Sequence, residues 1–252
     1  MPSPWADQPH PLISTLPFSR DTSHSANYVA TQMALAHNGI IRGLNAIWLQ
    51  APHFPRDDHT AITDFLTYCQ CWAESMHHHH DAEEHTFFPS VEKLAGEKGL
   101  MSRNVEQHRA FTPGFEAFHA YVQTCKPGEF DGLTVRELVD AFAEPLTKHL
   151  REEIETLRAL VKYDSERLRE AYKRFEKELM ATDNNRIAPL VFGTADRTFE
   201  GGMHDFPAVP FFVPYIIHYV FARRHQGAWR YNPSTLWRDP KELAFMGKVT
   251  AG

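Results

Sequence analysis

Cysteine is scarce in this chain: Cys69, Cys71 and Cys125 are the whole supply. An odd number with no Cys-x-x-Cys pair excludes a disulfide framework and a thiolate zinc site. The thiols are expected to be reduced, and the expected location is cytoplasmic. Long hydrophobic runs are also missing. The most apolar stretch, 211–222, is interrupted by Pro214 and His218 and falls well short of the ~20 residues a membrane helix needs. No membrane span is expected. The opening Met-Pro-Ser-Pro-Trp-Ala-Asp has no charged region leading into an apolar one, so no secretory leader is expected. Positive charge is not in excess either. Lys and Arg number 26 against 32 Asp and Glu, a net charge of −6, which argues against nucleic acid as a partner. No sustained strand alternation appears before residue 182.

What the chain does have is apolar content of 42%, enough for a real core, and 16 histidines. Residues 1–24 are rich in Pro, Ser and Thr and read as an extended arm. Val29, Met33, Ile40, Ile41, Leu44 and Ile47 recur at helical spacing and predict a first helix over 25–50. A second should follow a cap at Asp57 or Asp58 and run to about Pro89, or a little beyond if the proline only kinks it. A third spans about 102–125, with a kink at Pro113 and Gly114. Thr134 and Glu137 form a capping-box pattern for a fourth helix reaching about 162, with Pro145 inside it. Asp164 caps a fifth, highly charged helix. The fold class is therefore all-α, with an antiparallel four-helix bundle over 25–183. From residue 184 to 252 the composition shifts to Pro, Phe, Tyr and Trp. This extension is expected to wrap the bundle, with one short helix near 213–224.

The chemistry concentrates at 77–89, His-His-His-His-Asp-Ala-Glu-Glu-His-Thr-Phe-Phe-Pro. Residues four apart share a helix face, so His80 pairs with Glu84 and His79 with Glu83. His149 and Glu153 repeat the spacing downstream. Each bundle helix offers one inward histidine: His37, His80, His108 and His149. With Glu84 and Glu153 they make a set of four imidazoles and two carboxylates, suited to Fe, Mn or Zn. His77, His78, His79 and His85 cannot all face inward and are expected at the surface or behind the ligands. Any one of these residues alone reads more simply as a satisfied core histidine or a solvated helix pair. Together, buried without a metal, they would carry a heavy desolvation cost.

Residues 28–160 resemble a hemerythrin-type HHE cation-binding domain, and the run from His79 to Pro89 matches that family's most characteristic segment. The resemblance implies an antiparallel four-helix bundle around a dimetal, usually di-iron, site. It assigns metal binding to His37, His80, Glu84, His108, His149 and Glu153. The family's oxygen carriers have a further histidine where this chain has Asn104. They also have a longer His-to-Asp step in the fourth helix than His149 to Glu153. Both departures favour a more open or asymmetric centre, mononuclear or dinuclear, with zinc or iron as cofactor. The extension resembles that of fungal hemerythrin-like proteins, some similar to zinc-dependent cyclopenases that contract a benzodiazepinedione epoxide to a quinolone.

Three kinds of function compete. One is a metal-dependent enzyme acting on an aromatic small molecule, cyclopenase-like, with Glu84 or Glu153 moving protons. There the extension, through Tyr215, His218 and Arg224, would cover the metal and shape a pocket. The second is a protein that binds O2, NO or iron. The third is a structural metal bundle. The extension favours the first, because a gas carrier or an iron store does not require it.

Overall fold

A computed structural model describes residues 5–21, 23–55 and 57–246. Its helices are α1 (Ser25–Gln50), α2 (His59–Ala82), α3 (Phe88–Ala95), α4 (Ser102–Thr124), α5 (Gly132–Arg158), α6 (Ser165–Leu179), α7 (Ile187–Thr194) and α8 (Val213–Tyr219). The described residues contain no β-strand, only an isolated antiparallel bridge between Ser234 and Pro240. No described helix is long and apolar enough to cross a membrane.

The bundle is built from α1, α2, α4 and α5, with α4 against α5, α5 against α1 and α2 against α4. Its interior below the histidines is aromatic: Trp72 meets Phe115, Phe118 and Phe142 at centroid separations of 6.1, 5.8 and 6.2 Å. Gly114 lets α4 approach α5 closely, since a Cβ there would lie 3.0 Å from that of Phe142. Pro113 and Pro145 sit inside α4 and α5 without ending them.

Helix ends follow side-chain chemistry. Asp58 accepts from the amide of Ala61, and Asp164 from that of Arg167. The fourth bundle helix departs from expectation. Its cap is Asp131, which accepts from Leu133, and the helix starts at Gly132. Thr134 is already inside the first turn, where its hydroxyl donates to Asp131. The Asp131 side chain, three residues earlier, does the capping that the Thr134–Glu137 pattern suggested.

Between α2 and α3 the chain does not stop. Glu83–Phe87 form a π-helical turn, closed by the amide of Phe88 on the carbonyl of Glu83. Pro89 explains the widening. It has no N–H for the carbonyl of His85, and its ring would crowd that carbonyl in a regular helix. The extra residue leaves Phe87 and Phe88 both buried. The run then ends at Gly96, in the left-handed conformation at φ 69°.

The described parts of the arm and of the extension pack on the bundle together. Asn38 of α1 is buried and brackets Ile13 of the arm, its Oδ1 2.8 Å from the amide and its Nδ2 2.9 Å from the carbonyl. Asn45 donates to the carbonyls of Ala6 and His10. The indole of Trp5 donates to the carbonyl of Pro233 at 2.9 Å. Tyr231 is fully buried against Phe54 and Phe65, and its hydroxyl donates to the carbonyl of Ala61. Much of the extension thus closes the end of the bundle where α1 finishes and α2 begins. The short helix expected near 213–224 is α8, whereas α7 lies in a stretch the composition suggested only as wrapping chain.

Glu200 ties the extension to the arm. It lies in the left-handed region at φ 49°, ahead of Gly201 and Gly202 at positive φ, a conformation a non-glycine residue holds only where its surroundings enforce it. The enforcing contacts are hydrogen bonds from the Ser14 hydroxyl, the Thr15 hydroxyl and amide, and His204. Burial pushes the Glu200 carboxyl up, but the hydrogen bonds from Thr15, His204 and Ser14 outweigh it and hold the group at about 2. A lowered folded-state value stabilises the protein above the ordinary carboxylate range, and that stability is lost as pH falls towards 2. Glu200→Gln should therefore cost on the order of 2 kcal/mol near pH 7. In urea melts the gap from wild type should shrink as pH drops from about 4.5 towards 2. A gap independent of pH would show that the charge of Glu200 does not hold the arm.

Candidate metal centre

Five imidazoles and two carboxylates meet inside the bundle. They are His37 of α1, His79 and His80 of α2, Glu83 of the π turn, His108 of α4, and His149 and Glu153 of α5. All seven are buried, and His37, Glu83, His149 and Glu153 are 0% exposed. Six of them fall into two groups: His80, Glu83, His108 and His149, and His37, His79 and Glu83. Glu83 belongs to both. One of its oxygens lies 3.0 Å from His79 Nε2 and 4.0 Å from His37 Nε2, the other 3.5 Å from His108 Nε2. Glu153 also stands between the groups, 3.4 Å from His37 Nε2 and 3.7 Å from His149 Nε2.

The donor atoms face one another and nothing else. Nε2 of His37, His79 and His80 and both oxygens of Glu83 and Glu153 have no hydrogen-bond partner. The opposite ring nitrogens of three histidines are engaged. His37 Nδ1 donates to the carbonyl of Leu150 at 2.8 Å, and His149 Nδ1 to Gln107 Oε1 at 3.3 Å. His108 Nδ1 donates to Glu84 at 2.7 Å. Each such bond fixes the ring and aims Nε2 inward, as in metal sites generally. Burial holds His37, His80 and His149 well below the ordinary imidazole range and His79 at about 3. They are neutral, the form that ligates a cation. Burial raises both Glu83 and Glu153, and for Glu153 the charge of Glu83 adds to it. Two adjacent buried carboxylates call for a cation between them. The residues fit a metal pair: nitrogen and oxygen donors, no thiolate, two groups and a shared carboxylate.

Of the residues singled out from sequence, His37, His80, His108, His149 and Glu153 are brought together. Glu84 is not among them. Its side chain is 37% exposed and reaches the outer nitrogen of His108. The inward carboxylate is Glu83, and His79, expected outside, is inside with it. The cause is the helix stripe Trp72, Met76, His79/His80, Glu83, Phe87, buried at every position. One residue further on, Glu84 is turned about 100° around the axis. That stripe was a readable signal, since at about 100° per residue Glu83 falls within about 40° of both Met76 and Phe87, whereas Glu84 is turned about 60–80° from them. Asn104 is buried beside Glu153 and favours its charged form. His85 is exposed, as expected, and His77 and His78 are half-buried.

Among the described residues, none of the aromatic rings against the donors comes from the extension. The aromatic rings around the donors are Phe111, 5.1 Å from His80, Phe88, 5.8 Å from His108, and Phe175 of α6, 5.9 Å from His79. Tyr215 and His218 pack on Trp237, and Tyr215, His218 and Arg224 are exposed. The expectation that they orient a ligand over the metal is corrected by this placement. Their segment packs on α7, which in turn packs on α1 and α2.

A family model, the hemerythrin HHE cation binding domain, matches residues 29–161. The dimeric xanthone biosynthesis cluster protein R11 of Cryptosporiopsis sp. (strain 8999) is 37% identical over 250 residues, covering 98% of this chain and 95% of the relative. No solved structure matches significantly. Two carboxylates with different positions give a direct test of the centre. Glu83→Gln should abolish most metal binding, whereas Glu84→Gln should keep the stoichiometry and weaken affinity about 10- to 100-fold. Elemental analysis and chelator competition measure both, and equal loss in the two variants would make Glu84 a ligand. The chain belongs to the hemerythrin HHE cation-binding domain family.

Proposed function

We propose that this protein holds a dinuclear non-haem metal centre, best filled by iron, that takes O2 or another diatomic ligand for an oxidative step of secondary metabolism. One observation carries the reading: six buried donors fall into two groups that share Glu83, Glu153 stands between them, and Nε2 of His37, His79 and His80 and all four carboxylate oxygens have no hydrogen-bond partner. Nitrogen and carboxylate donors without thiolate suit iron. The relative from a dimeric xanthone cluster supports secondary metabolism as the setting.

The size of the ligand is argued from burial. His80 and His108, at 8% and 4%, are slightly exposed, while His37 and His149 are closed off. A cleft of about 460 Å³ between α1, α6 and residues 203–205 is lined by none of the seven donors. On the side of α4, His108 Nδ1 is hydrogen-bonded to Glu84, whose side chain is 37% exposed. Phe88, Phe111 and Phe175 exclude water from the donors. Iron in such a cage supplies redox chemistry towards O2. Glu84 can take up or release a proton at the edge of the site through His108 Nδ1, and Glu83 and Glu153 balance the metal charge.

The zinc-dependent, cyclopenase-like ring contraction is the second reading. The relative's cluster favours it to the extent that xanthones are aromatic. It needs an aromatic molecule within reach of the metal, and the extension lies elsewhere. Elemental analysis of protein purified without added metal separates the two. Two irons per chain and a visible absorption change when the reduced protein meets O2 or NO are the expected outcome. A single zinc with no response to O2 or NO would sink the di-iron proposal and favour the lyase.

A further inference from the structure

A third group of donors lies outside the buried centre. His77 of α2 and Glu116 and His119 of α4 place one ligand atom each within 4.8 Å of the others. His77 Nε2 is 3.3 Å from Glu116 Oε1 and 3.2 Å from His119 Nδ1. Ligands held about 2.0–2.1 Å from a tetrahedral zinc ion stand about 3.3 Å apart along the edges of the tetrahedron. The two measured edges match that spacing. Glu116 and His119 are three residues apart on one helix, so their side chains project together.

The rings are held in place. Phe115, buried at 2% exposure, lies 4.5 Å from the His77 ring and stacks on His119 at 6.1 Å and 13°. Gln123 sits one turn beyond His119, its amide 2.9 Å from Nε2. With its carbonyl oxygen turned to that nitrogen, Gln123 accepts the Nε2 proton and leaves the Nδ1 lone pair free. Without a cation the same residues form a hydrogen-bonded chain, in which the Gln123 amide donates to Nε2 and His119 Nδ1 donates to His77.

We propose that His77, Glu116 and His119 form a second, solvent-facing site for a zinc-like divalent cation that clips α2 to α4. Three protein donors and a water complete its tetrahedron. The site is independent of the buried pair, because none of its donors is among the seven. It also holds whichever metal fills the buried centre.

The test uses the full-length protein with its buried centre loaded, the buried metal being quantified before and after. Zn2+ is titrated by calorimetry into wild type, His119→Ala and Glu116→Gln. Glu116 is exposed and His119 half-buried, and Glu116→Gln preserves shape should His119→Ala fold poorly. Wild type should bind one more Zn2+ per chain than His119→Ala and at least tenfold more tightly than Glu116→Gln, with the buried metal unchanged in all three. The same Zn2+ stoichiometry and affinity in the three proteins would overturn the site. So would a loss confined to His119→Ala, since the carboxylate would then not be a ligand.

Discussion

Seven buried polar side chains, with their inward atoms facing only one another, are the constraint on which the rest of the molecule depends. Each buried polar atom without a partner costs about 1–3 kcal/mol. Nε2 of three histidines and four carboxylate oxygens are in that position. The summed cost, on the order of 10 kcal/mol, is as large as the whole stability of an ordinary domain. Metal cations held there would remove it by pairing those donors. The bundle is thus a cage whose filling is part of its folding free energy.

The cage imposes requirements on its surroundings. An imidazole ligates through one nitrogen only if the other is occupied, and the protein meets that need from several levels of structure. A backbone carbonyl serves His37, a neutral amide serves His149 and a carboxylate serves His108. The Gln107 that holds His149 is itself anchored by Glu152, which also binds Arg103. A chain of hydrogen bonds thereby links a buried ligand to the surface of α4. The three accessory groups differ in charge, and Glu84 is the ionisable one at the edge of solvent. That asymmetry distinguishes the His108 side from the His37 side, although the two groups of donors share Glu83.

Most of the fold was legible because the signals were local and redundant. The limits of α1 and α4 followed from apolar spacing and flanking breakers, and the cap at Asp164 from side-chain chemistry. The start of α5 was misplaced because two capping patterns overlap, and an Asp outcompeted a Thr. At the centre, spacing within one helix identified histidines, but the choice between Glu83 and Glu84 depends on which stripe the neighbouring helices bury. Pairing His80 with Glu84 satisfied a four-residue rule that His79 and Glu83 satisfy equally well. Met76 and Phe87 break the tie, since burying them turns Glu83 inward. The π turn was hidden for a related reason. Pro89 signalled an interruption, but the structure widens by one residue and carries the helix on.

Aromatic content alone misdirected the reading of the extension. Phe, Tyr and Trp serve equally to line a pocket and to cover a hydrophobic end, and composition does not separate the two. The partners do. Tyr231 is fully buried against Phe54 and Phe65, and Phe245 stacks on Tyr231 and approaches Phe54 to 4.5 Å. These contacts lie where α1 gives way to α2, in a layer completed by Gln50, which donates to the carbonyl of Tyr231 and accepts from the amide of Ala244. A four-helix bundle built around polar ligands has less apolar interior to spend on stability than one with an ordinary core. Closing one end with rings adds buried apolar area without approaching the donors. The same logic explains the arm, whose backbone is held by Asn38 and Asn45 on α1. It lets an outer face of that helix be covered by chain whose polar groups are already paired.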